Sequence, residues 1–141
     1  MTHESLYARM GGSTALHRLV SSFYDLIEND PRFENLHLLH IRGHGVTHSR
    51  AEQINFLSGF LGGPQLYIEK HGHSNVRDMH RHVQIGPIER DTWLSCMALA
   101  LQSAGIDQDV SSRLMEHFQV VAMLLETENR TNISSFGAGL E

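Results

Sequence analysis

Apolar residues in this chain recur three and four positions apart, in runs cut by glycine and proline, and no segment alternates strongly with period two. Three-and-four spacing lines up one face of a helix, so the expected fold class is all-α. A short helix is expected over 4–10, halted by Gly11-Gly12. Ser13 then caps a longer one with Leu16, Leu19, Val20, Phe23 and Ile27 on one face. Asn29-Asp30-Pro31 ends it, because the residue before a proline is driven out of the helical region. The stretch 31–48 reads as irregular, with Gly43 and Gly45 as breakers. Ser49 and Glu52 have capping-box spacing for the next helix, which Gly62-Gly63-Pro64 stops. Ser74 can cap a short helix carrying Val76 and His80. Gly86-Pro87 opens a helix with Trp93, Leu94, Cys96, Met97, Ala98, Ala100 and Leu101, apolar nearly all round and so expected at the centre. Asp107 caps the last helix, with Val110, Leu114, Phe118, Val121 and Leu125 inward. Periodicity fades near Thr127, which gives one domain over 1–126 and a frayed tail over 127–141.

A formal charge of -5 leaves no basic excess, so no nucleic-acid partner is expected. Cys96 is the one cysteine; it cannot form an intramolecular disulfide, and it fits a reducing compartment. Met1-Thr2-His3-Glu4-Ser5 is no basic region leading into an apolar run, and no apolar stretch has the length of a membrane span. A cytoplasmic protein without a membrane partner is expected. The sequons at Asn129 and Asn132 are then read as chance matches.

Histidine is the unusual component, at 11 of 141 residues. Imidazole is the commonest protein metal ligand, so two chemistries come forward. A direct zinc-type site could draw on His44 with His48, His71 with His73, or His80 with His82. The last two pairs lie two apart and do not share a helical face. No paired cysteines and no His-Glu-x-x-His motif accompany them. The other chemistry is haem, which needs an apolar slot, one axial base, and polar groups facing the other side of the iron. Periodicity does not choose between His80 and His82 as that base. Tyr24, Phe56, Leu57 and Trp93 also read as ordinary core residues, and Gln53 as a surface amide.

Several short runs, taken in order, resemble the group II truncated (two-over-two) haemoglobins across about 5–125. They are Leu-Tyr-Ala-Arg-Met-Gly-Gly at 6–12, Phe23-Tyr24-Asp25, Phe-Leu-Ser-Gly-Phe-Leu-Gly-Gly-Pro at 56–64, and Leu-Tyr-Ile-Glu-Lys-His-Gly-His at 66–73. Arg77, three residues before His80, and Glu-Arg-Asp-Thr-Trp-Leu-Ser-Cys-Met at 89–97 complete the set. The resemblance implies a globin-like, truncated two-over-two helical sandwich around haem b. Its register from Glu89 to Trp93 puts the proximal iron ligand on His80 rather than His82. It also implies Tyr24 and Trp93 as distal donors, Gln53 over the iron with Ser49 one turn earlier, and Phe56 and Leu57 among the lining. Arg77 and Tyr67, with Lys70 or His73, fall near the haem propionates.

The chain departs from that pattern in two places. His82-Val83 stands where the family usually has Pro-Phe, and the stretch 37–48 is longer than usual. A haem-edge position in that stretch matches His40, or His37 without a gap. Beside the Gly43/Gly45 loop, either histidine is a candidate sixth iron ligand. The function implied is binding of O2 or another diatomic ligand, for carriage or sensing, by a monomer or homodimer served by an unidentified reductase. The alternative is a haem enzyme acting on peroxide or nitric oxide, and a third reading is a helical interaction module without haem.

Overall fold

Every apolar position expected on the face of the second helix is buried, and that helix, α2 (Gly12–Asn29), is the spine of the molecule. A computed structural model describes residues 4–42, 44–75 and 85–140, with side chains for all of these except Arg42 and 127–140. Among the described residues the other helices are α1 (Leu6–Met10), a 3-10 turn (Pro31–Phe33), α3 (Glu34–Arg42), α4 (Val46–Phe60), α5 (Leu66–His71), α6 (Pro87–Ser103) and α7 (Gln108–Leu140), and there is no strand. Helix α2 packs on α4 and α6, α6 packs on α7, and α4 packs on α5. Leu16, Leu19, Phe23 and Ile27 of α2 meet Met97 and Leu101 of α6 and Leu114 of α7 in the core. Burying each such side chain contributes about 1.5–3 kcal/mol.

Local signals set several boundaries. Ser5 Oγ accepts from the Ala8 N–H at 3.1 Å to start α1. Pro87 stands in the first turn of α6, where Glu89 Oε1 accepts the Gly86 N–H at 2.7 Å. Asp107 Oδ2 accepts from Asp109 and Val110 N–H at 3.1 and 3.2 Å to start α7. The turn after α4 is held by α1: Tyr7 N–H donates to Leu61 O at 2.9 Å. A Cβ on Gly63 would lie 2.6 Å from the Tyr7 ring, so only glycine fits there.

Other expectations are corrected. Helix α2 begins one residue before Ser13, behind Gly11 at φ 119, and no side chain caps it. Helix α4 begins at Val46 behind Gly45, so Ser49 lies inside the helix and caps nothing. Most of 31–42 is helical rather than irregular, and the short α5 gave no sequence signal. Helix α6 is not buried all round: Asp91, Ser95, Ala98 and Gln102 form an exposed stripe. The alanine methyl is small enough to face water cheaply, which made the helix read as more apolar than it is. The helix expected after Ser74, with Arg77, His80 and His82, lies outside the described residues. Helix α7 runs through Leu140.

Candidate functional site

A cavity of about 540 Å³ opens among α2 to α7. Small-molecule and cofactor pockets run to about 300–1,000 Å³. Leu36, Phe56, Leu57, Phe60, Phe118 and Leu125 provide apolar walls. Tyr24, His40, Ser49, Gln53 and Trp93 also line it. His44, His48, His71, His73, Glu52, Glu89 and Arg90 add charged and titratable groups.

The wall behind Tyr24 is a run of aromatic contacts. Phe23 meets Tyr24 edge-on at 5.0 Å between ring centroids, and Trp93 at 5.5 Å. Trp93 meets Phe118 at 5.5 Å, and Phe118 stacks on Phe60 at 6.3 Å. Such pairs contribute about 0.5–1.5 kcal/mol each beyond area burial. Spacing puts Phe23 and Tyr24 next to each other on α2 so that one ring fills the core and the other closes the cavity.

Tyr24 is buried, with its hydroxyl 3.4 Å from His40 Nε2. Burial raises its pKa, while the Arg50 guanidinium, 5.5 Å over its ring, pulls the other way. His40 Nδ1 stands 2.7 Å from the Leu36 carbonyl, and burial lowers the imidazole pKa. Gln53 and Trp93 face the cavity without a side-chain hydrogen bond to any described residue. At the rim, Glu52 takes Lys70 Nζ at 2.6 Å and His71 Nε2 at 2.8 Å. Burial alone would raise the Glu52 pKa, but these partners outweigh it and lower it.

The structure thus brings Tyr24, His40, Ser49, Gln53, Phe56, Leu57, Tyr67, His73 and Trp93 around one cavity. His37 does not line it, and neither does Lys70, which is bonded to Glu52. His80 and Arg77 lie outside the described residues. Sequence reasoning missed the rim roles of Glu52 and His71 and the place of Arg50 over Tyr24. The only local signal on Glu52 was its capping-box spacing, which pointed the wrong way. Among the described residues no group of three or more His, Cys, Asp or Glu is placed to hold a metal ion directly. Haem fits better: the walls are largely apolar, and Gln53 and Trp93, whose side chains have no hydrogen-bond partner among the described residues, are part of the lining.

The chain matches the bacterial-like globin family over residues 5–127. It is 33% identical over 119 residues to group 2 truncated hemoglobin YjbI of Bacillus subtilis, covering 83% of this chain and 86% of that protein. The group II 2-on-2 hemoglobin of Agrobacterium tumefaciens superposes with a TM-score of 0.81 at 30% identity, over 89% of this chain and 96% of that one. A truncated oxygen-avid haemoglobin from Bacillus subtilis superposes with a TM-score of 0.74 at 30% identity, over 86% and 98%. Globins carry haem and bind small diatomic ligands at its iron. The chain therefore belongs to the bacterial-like globins, as a truncated two-on-two haemoglobin of group II.

Proposed function

We propose that this chain holds haem b through His80 and binds O2 reversibly. The observation that carries the reading is the convergence of Tyr24, Gln53 and Trp93 on one apolar cavity. When bound, haem supplies the iron at which a diatomic ligand is taken up. The choice of His80 rests on the family register. The Trp93 indole N–H can only donate, and the Gln53 amide offers donors too. Both favour a ligand that gathers partial negative charge. Phe56, Leu57 and Phe118 keep water from the ligand, which strengthens each polar contact. Tyr67, whose ring lies 5.9 Å from that of His73, and Arg77 are the residues proposed for the propionates. O2 is favoured as ligand because one of the similar structures is described as oxygen-avid. A separate reductase keeping the iron ferrous, and a cytoplasmic setting, complete the reading; no helix among the described residues is long and apolar enough to cross a membrane.

An optical spectrum tests this directly. The purified chain, or the chain titrated with haemin, shows a Soret band and a reversible oxy form, and His80→Ala loses axial ligation. A chain that neither carries nor takes up haemin overturns the reading. Turnover of peroxide or nitric oxide is the second reading, favoured by Trp93 and Tyr24 lining one cavity with Phe23 in contact with both. Steady peroxide consumption, or rapid nitrate formation from the oxy form, would support it.

A further inference from the structure

We propose that His40 holds the Tyr24 hydroxyl as an acceptor and so withholds its proton from a ligand in the cavity, leaving Trp93 and Gln53 as the donors. The direction of the Tyr24–His40 contact follows from the other side of the ring. His40 Nδ1 lies 2.7 Å from the Leu36 carbonyl oxygen. A carbonyl only accepts, so Nδ1 carries the hydrogen. A neutral imidazole has one N–H, which leaves Nε2 as a bare lone pair facing the Tyr24 hydroxyl at 3.4 Å. Tyr24 must then donate. Burial favours the neutral ring, and Leu36 and His40, one turn apart on α3, keep its Nδ1 end tied. The Tyr24 and His40 rings meet edge-on at 5.4 Å and 89°.

In this arrangement Tyr24 turns a lone pair toward the cavity, where a donor is expected from family resemblance. Swinging its proton to a ligand would leave Nε2 of His40 unmet in a partly buried setting, which has a cost. At 3.4 Å the Tyr24–His40 bond is long, so the competition is close and small changes at His40 shift it. His40 therefore raises the ligand dissociation rate without touching the ligand.

The inference rests on the haem-binding reading, and its test has one arm that does not. Long-range 1H–15N NMR at neutral pH, on the protein as purified and with CO keeping any ferrous iron diamagnetic, reads the His40 tautomer. A protonated Nδ1 and bare Nε2 are expected; a protonated Nε2 overturns the inference whether or not haem is bound. In the other arm, stopped-flow kinetics follow O2 dissociation from wild type, His40→Phe, Tyr24→Phe and the double variant. His40→Phe is expected to slow dissociation by about 2- to 10-fold, the ratio that one net hydrogen bond supports. The C–O stretching frequency of the CO complex should fall with it, and both changes should vanish when Tyr24→Phe is added. An unchanged or faster dissociation in His40→Phe overturns the inference. So does a six-coordinate unliganded ferrous spectrum that becomes five-coordinate in His40→Phe, which would make His40 an iron ligand. Should His40→Phe fail to fold, the tautomer measurement decides alone.

Discussion

The two ends of the cavity solve the problem of placing polar groups in opposite ways. Around Tyr24 aromatic packing sets the wall through Phe23 and Trp93, the Arg50 guanidinium lies over the tyrosine ring, and a short chain of hydrogen bonds links Tyr24 to His40 and His40 to the Leu36 carbonyl. At the rim, Glu52 is locked to Lys70 and His71 by charge, with the lysine more than half exposed. Packing leaves the Gln53 and Trp93 donors without a hydrogen-bond partner among the described residues. Ion pairing satisfies the groups and exposes them to salt and pH. The first arrangement suits the ligand-binding end proposed above, and a solvent-facing rim tolerates the second.

The contrast breaks most sharply at Phe23. Phe23→Ala removes a fully buried ring that touches both Tyr24 and Trp93. It should cost about 3–5 kcal/mol of stability, measured by denaturant unfolding, and loosen the ligand end as a whole. Trp93→Phe keeps most of the packing and removes one N–H. Stability should change by less than in Phe23→Ala, while O2 dissociation should quicken by about 2- to 10-fold, opposite in sign to His40→Phe.

Glu52→Gln should cost the least, under about 1 kcal/mol, because Lys70 and His71 are solvated. The Glu52 pKa is depressed in the folded chain, so its contribution is present above the ordinary carboxylate range. It is lost as pH falls through the lowered value. The unfolding curves of Glu52→Gln and wild type should therefore differ at neutral pH and converge in acid. A rim variant that altered O2 dissociation as much as Trp93→Phe would erase the distinction between the two ends.

Legibility in the sequence followed the same division. The α2 face and the α6 and α7 starts could be read because each depends on neighbours in sequence: apolar spacing, Gly86-Pro87, and Asp107. Ser49 and Glu52 misled because their local pattern is overridden in three dimensions. Gly45, at φ 92, starts α4 a turn earlier, and Glu52 turns to α5 instead of its own backbone. Helices α3 and α5 escaped notice because Glu34–Arg42 and Leu66–His71 are short and rich in polar residues. Their faces make sense only against the cavity. That Tyr24, Gln53 and Trp93 share a cavity could be expected from family resemblance alone; the direction of the Tyr24–His40 bond could not, since it depends on the Leu36 carbonyl.

The aromatic wall has one more consequence. Trp93 is the chain's one tryptophan, and it lines the cavity itself. Its near-ultraviolet emission overlaps porphyrin absorption, so a porphyrin in the cavity would drain it by energy transfer. The protein carries its own optical gauge of occupancy, readable without label or engineering.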